Sequence, residues 1–256
     1  MRHSSSRPQH GCPATPPVTQ VMTSPTGNAI EIVTTRLDAR PEAVRALAGW
    51  LSAEERRRAD RYHFDRDRRR FIVARARLRQ MLARRLMTRP EAVELVYRGN
   101  GKPALAQRCG LADWRFNVSH SDEIAVYAFS LGREVGIDVE AIREVRDADA
   151  IVSHFFSRRE REAYLALGPD EKTLGFLNCW TRKEALLKAL GDGLSQPLDG
   201  FDVSLAPGKP ARILRIENTP GGDTRWCLDS FSPSPGFVAA VVSERHAPGV
   251  AAAALQ

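Results

Sequence analysis

The chain has few cysteines and no long apolar segment, and these absences exclude several classes of protein. Its four cysteines, Cys12, Cys109, Cys179 and Cys227, lie far apart in the 256 residues and form no CxxC pair. Such spacing argues against a zinc site or a disulfide framework, so we expect free thiols. No apolar run approaches the ~20 residues that a membrane-spanning helix needs, so no membrane partner is expected.

Residues 1–28 also lack an apolar stretch and are rich in Ser, Pro, Thr and Gly. Because a secretory signal needs an apolar segment, this composition predicts a disordered tail, 1–28, on a cytoplasmic protein. The remaining chain is long enough to bury a sizeable core. It could form one large domain or two packed halves of about 100 residues each.

Two common catalytic loops are missing. No GxxxxGK[ST] segment is present, which disfavours a P-loop nucleotide triphosphatase. Ser119 and His120 are neighbours on an extended segment, but their side chains should point apart and no G-x-S-x-G elbow surrounds the serine. A hydrolase is therefore disfavoured, and these two residues could instead donate hydrogen bonds to phosphate oxygens.

Positive charge is concentrated in one region. The net charge is +7, and residues 54–89 contain 14 Arg and no Lys against 5 Asp and Glu. The rest of the chain is slightly acidic. Such a region could contact nucleic acid, an acidic protein or a phosphate-rich small molecule, or it could be a solvated helix face.

Two similar capping boxes indicate an internal repeat. Ser52-Ala53-Glu54-Glu55 and Ser157-Arg158-Arg159-Glu160 each predict the start of a helix, and a longer helix follows both. Phe71-xxx-Arg75-Ala76-x-Leu78-Arg79 in the first long helix resembles Trp180-xxx-Glu184-Ala185-x-Leu187-Lys188 in the second. The order of strand, capped helix, long helix and strands predicts an α+β fold of two similar halves with a ligand cleft between them.

Three carboxylates mark the second half. On the strand predicted for residues 134–140, Asp138 and Glu140 share one face, and they stay ionised together only if water or a cation compensates. Glu184 and Lys188 lie four apart on one helix face. A wet strand end and an exposed ion pair could explain each feature alone. Together, the carboxylates are the oxygen ligands that magnesium prefers, and the separate basic region suits a metal–polyphosphate substrate.

These residues also resemble a known family. Gly136-Ile137-Asp138-Val139-Glu140, followed by Trp180-Thr181-Arg182-Lys183-Glu184-Ala185-Leu186-Leu187-Lys188, is similar to the paired signature of the 4′-phosphopantetheinyl transferases. The likeness is to their surfactin-synthetase-activating (Sfp-like) branch, whose members are single chains of two similar halves. Further matches are Gly101-Lys102-Pro103, Phe116-Asn117-Val118-Ser119-His120-Ser121 and Gly193-Leu194-Ser195 with Pro197-Leu198. The resemblance covers roughly residues 52–205.

The resemblance implies a fold and a reaction. The fold is a pseudo-twofold duplication of two α/β halves, 29–133 and 134–256, with the active site in the cleft. The first half would bind coenzyme A phosphates, and the second would carry the magnesium site and the catalytic helix. The enzyme, a holo-[acyl-carrier-protein] synthase, would transfer 4′-phosphopantetheine from coenzyme A to a serine of an apo acyl- or peptidyl-carrier protein and release 3′,5′-ADP. Such carriers serve fatty acid, polyketide, nonribosomal peptide or siderophore synthesis. A single chain holding both halves predicts a monomer.

The resemblance also assigns roles to residues. Asp138, Glu140 and Glu184 would hold Mg²⁺, or Mn²⁺ in its place. Glu184 would take the proton of the carrier serine, with a metal-bound water as the alternative base, and Lys188 would stabilise the leaving 3′,5′-ADP. Asp138 and Lys188 would also contact coenzyme A. The remaining coenzyme A contacts are expected from Arg58, Arg70, Arg98, Lys102, Ser119 and His120, with His120 at the 3′-phosphate.

Two other classes of protein compete with the transferase. A nucleic-acid-binding protein would explain the arginines but not the three carboxylates, so no nucleic-acid partner is expected. An inert adaptor for carrier proteins would keep the surface of the fold. Nothing in the sequence indicates lost chemistry, because Asp138, Glu140, Glu184 and Lys188 are all present.

Overall fold

The computed structural model describes residues 18–23, 29–97, 102–106, 113–191, 197–217 and 222–245. These residues form a mixed α+β fold, with helices packed on two main antiparallel sheets, as the sequence predicts. No helix in the described ranges is both long and apolar enough to cross a membrane.

The first main sheet and its helices form what we call the first repeat. Its elements, in chain order, are β2 (Ala29–Arg36), α1 (Pro41–Ala48), α2 (Ala53–Ala59), α3 (Asp65–Arg85), β3 (Leu95–Tyr97), β4 (Pro103–Leu105), β5 (Trp114–Ser121) and β6 (Ile124–Leu131). An additional strand, β1 (Val18–Thr23), precedes them. The strand order of the sheet is β1-β2-β6-β5, and β3 pairs with β4 beside it.

The second repeat has the same succession of elements. They are β7 (Val135–Ala141), α4 (Ala148–Phe155), α5 (Arg158–Leu165), α6 (Pro169–Leu190), β8 (Phe201–Val203), β9 (Ile213–Ile216), α7 (Gly222–Arg225), β10 (Trp226–Phe231) and β11 (Phe237–Glu244). Its main sheet has the order β10-β11-β7, and β8 pairs with β9. Apart from β1 and the short α7, each element of one repeat therefore has a counterpart in the other.

Both predicted capping boxes are present. In α2 the Ser52 hydroxyl accepts from the Glu55 amide while the Glu55 carboxylate accepts from the Ser52 amide, and Ser157 and Glu160 do the same at the start of α5. The glutamates have a second role, because each is buried and pairs with a cation from the long helix of its own repeat.

These buried ion pairs fix how the two repeats match. Glu55 lies 2.6 Å from Arg79 Nε in the first repeat, and Glu160 lies 2.7 Å from Lys183 Nζ in the second. Arg79 therefore corresponds to Lys183. The pairing of Arg79 with Lys188 suggested by the sequence is wrong by about one helical turn. Short motifs of alternating Ala, Leu and basic residues can be aligned in several registers, whereas the buried ion pair occupies the same place in both repeats.

The core consists of three apolar layers, one within each repeat and one between the two sheets. α3 covers one face of the first sheet, and α6 covers one face of the second. The uncovered faces of the two sheets pack against each other through aliphatic side chains, chiefly Ile30, Ile32, Ile124, Val126, Val135, Ile137, Val139, Ala239 and Val241. Each sheet is thus buried on both faces, and the two edge strands β5 and β7 come together.

The prediction of disorder for residues 1–28 is wrong for Val18–Thr23. This segment pairs with β2 in a continuous antiparallel register from Val18 opposite Thr34 to Thr23 opposite Ala29. Four of its six residues are valine or threonine, which favour strands, and β2 provides a sheet edge to pair with. The rest of the predicted tail lies outside the described residues.

Candidate functional site

The site lies where edge strand β5 of the first repeat meets edge strand β7 of the second. Side chains rather than a backbone ladder join these strands. Asn117 Oδ1 accepts from the Ile137 amide at 2.8 Å, and Ser121 Oγ accepts from the Ala141 amide at 3.1 Å. Both contacts join residues 20 apart, so the strands run parallel. The polar face of β5 is thereby directed at the acidic strand.

Gly136 allows helix α6 to pack closely onto that strand. A Cβ atom at this position would lie 2.1 Å from the Ala185 carbonyl oxygen and 2.4 Å from the Ala189 amide nitrogen. Both atoms belong to the backbone of α6 and cannot move aside, so glycine is required for the close approach. The approach places Glu184 and Lys188 beside Asp138.

A central cavity of about 480 Å³ opens at this junction. Its walls come from both repeats, with α2, α3 and β5 on one side and α6 on the other. Among the residues predicted to act in catalysis or coenzyme A binding, it is lined by Arg58, Lys102, Ser119, His120, Glu184 and Lys188. The structure therefore brings together residues that are up to 130 positions apart in the chain.

Asp138 forms an ion pair next to the cavity, in contact with two residues that line it, Ser119 and Lys188. Lys188 Nζ lies 2.6 Å from Asp138 Oδ1, and Ser119 Oγ donates to the same oxygen at 2.8 Å. The other oxygen, Oδ2, is buried and has no hydrogen-bond partner. Next to this pair, Glu140 accepts from Ser121 Oγ at 2.8 Å.

The pKa values reflect burial at this acidic site. Burial raises the pKa of Glu184, the Lys188 ammonium opposes the shift, and the charges of Asp138 and Glu140 add to it. Burial likewise raises the pKa of Glu140, against the hydrogen bond from Ser121. Two half-buried carboxylates whose charged forms are disfavoured would be stabilised by an added cation.

These residues fit a hard cation, although the predicted triad is not assembled around one point. Within the described part of the chain, no group of three Asp, Glu, His or Cys side chains is arranged to hold a metal ion. The reason is local, since Lys188 and Ser119 already contact Oδ1 of Asp138. The unpartnered Oδ2 atom and the nearby Glu140 and Glu184 nevertheless provide the oxygen donors that magnesium uses.

His120 lies on the opposite wall of the cavity. Desolvation lowers its pKa, the charges of Lys188 and Arg75 lower it further, and a backbone hydrogen bond opposes the shift, so the neutral imidazole is favoured. A neutral imidazole keeps one N–H donor for a phosphate oxygen. A bound phosphate dianion would favour its protonation.

Arg75 lines the same cavity and was missed by the sequence analysis. Its guanidinium lies between the rings of Phe71 and Tyr97, at 5.6 and 5.8 Å from their centroids, and its Nε lies 3.6 Å from Glu55 Oε1. The side chain is 90% buried, and its Nη1 atom has no hydrogen-bond partner. A helical stripe could have identified it, because Phe71, Arg75 and Arg79 share one helix face above the capping glutamate.

Three other predicted residues have different surroundings. Arg70 does not line the central cavity and forms a two-bond ion pair with Asp38, at 2.8 and 3.1 Å. Lys102 reaches across to the second repeat and donates to the Lys188 carbonyl oxygen at 2.5 Å. Arg98 lies outside the described residues, as does the Gly193-Leu194-Ser195 segment.

A second cavity of about 340 Å³ adjoins Glu140. The segment after β7 forms one wall, and Phe176, Leu177 and Trp180 of α6 form another. Arg143 and Glu144 also line it, and Trp180 precedes Glu184 by about one helical turn, so this slot begins where the acidic site ends.

Comparison with known proteins identifies the family. A model of the 4′-phosphopantetheinyl transferase superfamily matches residues 134–242, and a model of the N-terminal part of 4′-phosphopantetheinyl transferases matches residues 38–131. The 4′-phosphopantetheinyl transferase HetI of Nostoc sp. is 36% identical over 205 residues, which cover 80% of this chain and 83% of HetI. The transferase Sfp of Bacillus subtilis is 29% identical over 75% of this chain and 81% of its own length. These matches confirm the resemblance seen in the sequence: the chain belongs to the 4′-phosphopantetheinyl transferase family.

Proposed function

We propose that this chain transfers the 4′-phosphopantetheine arm of coenzyme A to a serine hydroxyl of an apo carrier protein. The supporting observation is the division of charge in the central cavity. Arg58, Arg75 and Lys102 line its first-repeat wall, whereas Glu184 lines the α6 wall, where Lys188 contacts the Asp138 carboxylate. A ligand with several phosphates and a bound cation matches both ends.

The first repeat would bind the phosphates of the adenosine part. Arg75 Nη1 is a buried donor without a partner, and a phosphate oxygen would satisfy it. His120 and Ser119 would donate from β5, with His120 at the 3′-phosphate. Arg58 and Lys102 would complete the positive wall.

The second repeat would carry the chemistry. Magnesium, or manganese in its place, held by Asp138, Glu140 and Glu184 would polarise the diphosphate and neutralise its charge. Glu184 would accept the proton of the carrier serine.

The remaining steps follow from the positions of the groups. The serine oxygen forms a bond to the β-phosphorus, which bears the pantetheine arm, and the bond from that phosphorus to the bridging oxygen breaks. 3′,5′-ADP leaves with the bridging oxygen and the electron pair. The Lys188 ammonium would stabilise the charge that develops there.

The pantetheine arm would extend into the second cavity. That slot continues from Glu140, and Phe176, Leu177 and Trp180 offer apolar surface to the methyl and methylene groups of the arm. The serine of the carrier would then approach Glu184 from the solvent side.

Further features belong to the same proposal. The division into halves 29–133 and 134–256 agrees with the two sheets, each of which has its own covering helix. Because both walls of the cavity come from one chain, a monomer would suffice for activity. We further propose a cytoplasmic location and holo-[acyl-carrier-protein] synthase activity, with no nucleic-acid or membrane partner.

Intact-mass spectrometry of an apo carrier protein tests the proposal. Incubation with the chain, coenzyme A and magnesium should add about 340 Da to the carrier, and chelation or Asp138→Ala should abolish the gain. Fatty-acid, polyketide and peptide carriers should be compared in parallel. If no carrier gains mass while the chain is folded and binds coenzyme A, the proposal is wrong and an inert adaptor is favoured.

A further inference from the structure

The Lys188 ammonium group has three hydrogen-bond acceptors at the acidic site. Its Nζ lies 2.6 Å from Asp138 Oδ1, 3.2 Å from Ser119 Oγ and 3.3 Å from the Ile137 carbonyl oxygen. An ammonium group has three donors, and these three acceptors account for all of them. The Asp138 side chain is only 6% exposed, so water and salt screen this ion pair weakly.

A divalent cation would compete with Lys188 for Asp138. Oδ1 is already contacted by Lys188 and Ser119, and Oδ2 is the buried oxygen without a partner. A cation bound to either oxygen would lie close to Nζ, and two cations repel strongly in a poorly solvated site. Lys188 and a divalent cation therefore weaken each other's binding to the Asp138 carboxylate.

A diphosphate in the central cavity would relieve this competition. Lys188 lines the cavity together with Arg75 and His120, so diphosphate oxygens there are within reach of its ammonium. We infer that Lys188 and a divalent cation bind Asp138 alternatively, and that Lys188 moves to the diphosphate when the cation binds. Cation binding would thereby depend on diphosphate binding. The inference rests on the proposed function, which supplies both ligands.

If Lys188 only contacted the diphosphate, its removal would not strengthen cation binding to the chain alone. The proposed exchange predicts that it does. Without coenzyme A, the positive charge of Lys188 weakens cation binding, and with coenzyme A it no longer does so. By linkage, each ligand then strengthens the binding of the other. Removing the charge should therefore strengthen cation binding to the chain alone, even though it removes a contact to coenzyme A.

Mn²⁺ binding to the full chain without coenzyme A tests this directly, with free Mn²⁺ followed by electron paramagnetic resonance. We expect Lys188→Met to bind Mn²⁺ at least about fivefold more tightly than the unmodified chain, and Lys188→Arg to bind within about twofold of it. Arg58→Met is the matched control. It also removes one positive charge from the cavity wall, but the Arg58 guanidinium lies over the Phe71 ring, 5.6 Å from its centroid, and the Mn²⁺ affinity should change less than about twofold.

Several results would overturn the inference. Equal or weaker Mn²⁺ binding by Lys188→Met would do so, as would an equal gain in Arg58→Met, which would indicate a general charge effect. Lys188→Gln replaces Lys188→Met if circular dichroism shows that the methionine variant is unfolded. The titration needs no carrier protein. If Lys188→Met binds Mn²⁺ more tightly but the unmodified chain modifies no carrier protein, the proposed function is refuted, whereas the competition between Lys188 and the cation for Asp138 is supported.

Discussion

The two repeats share a frame but differ in the charges that they present to the central cavity. In each, a capping-box glutamate accepts from the buried cation of the long helix, Glu55 from Arg79 and Glu160 from Lys183. Each cation also donates to two backbone carbonyl oxygens near the start of the next strand, those of Pro90 and Val93 in the first repeat and of Leu198 and Phe201 in the second. Both repeats therefore share this frame, although they present different charges to the cavity.

The difference appears immediately beside that frame. Glu184 and Lys188 lie one and five residues after Lys183, and the corresponding positions after Arg79 hold Gln80 and Arg84. One turn before the buried cation, the first repeat has Arg75, which lines the cavity, and the second has the fully buried Cys179. At these positions the first repeat thus presents an arginine to the cavity, and the second presents a glutamate and a lysine.

The largest effect is expected when the shared frame is broken. Glu160→Gln and Glu55→Gln keep the capping hydrogen bonds but leave Lys183 or Arg79 buried without a counter-charge. Each should lower the free energy of unfolding by about 3–5 kcal/mol, measured by urea denaturation.

The same two variants should differ in function. Because Lys183 precedes Glu184, Glu160→Gln should lower kcat, whereas Glu55→Gln should raise KM for coenzyme A through Arg75, which contacts Glu55. Equal kinetic effects, with both proteins folded at the assay temperature, would contradict the division of roles between the repeats.

The next largest effect tests the acid that distinguishes the second repeat. Glu184→Gln removes the proposed base with little change in shape, and kcat for carrier modification should fall about 10²–10³-fold at saturating magnesium and coenzyme A. Gln80→Ala, at the matching position of the first repeat, should change kcat less than about twofold. Near-normal turnover by Glu184→Gln would show that another group takes the proton.

A smaller effect is expected from the distinguishing arginine of the first repeat. Arg75→Met keeps the packing between Phe71 and Tyr97 but removes the buried donor, so the Kd for coenzyme A should rise about 10- to 100-fold. Isothermal titration calorimetry measures this change. Arg77→Met provides the control, because Arg77 is also buried in α3 but donates to Gln80 and does not line the cavity. A similar loss in both variants would point to damaged packing rather than a lost phosphate contact.

Local patterns explain which parts of this site the sequence could predict. The alternation in residues 135–140 places Asp138 and Glu140 on one face of β7, and the capping boxes mark the starts of α2 and α5 correctly. Helix α4 was not predicted: its N-cap residue, Asp147, makes no side-chain capping hydrogen bond, so no capping box marks its start.

Local sequence patterns could not predict the contacts between residues far apart in the chain. The pairing of Lys188 with Asp138 joins residues 50 apart, and no local spacing distinguishes it from an exposed Glu184–Lys188 pair. Arg75 is one of 14 arginines in its region, and only the position of Tyr97 and Glu55 around it separates it from the solvated ones. Tertiary packing, rather than composition, therefore distinguishes the arginine that we propose to bind phosphate.

The smallest predicted effect concerns the pH dependence of the first repeat. His120 lies on β5, whereas β10, the corresponding hairpin strand of the second repeat, has no basic residue. Burial lowers the pKa of His120 in the chain alone, and a phosphate dianion beside it should raise that pKa in the complex. Coenzyme A should therefore bind more tightly as the pH falls through the range between the two values, by up to tenfold per pKa unit. Calorimetry in buffers of different ionisation enthalpy should show proton uptake on binding, and His120→Gln should remove the His120 contribution while leaving that of the coenzyme A phosphates. Unchanged uptake in the variant would mean that His120 does not contact a phosphate.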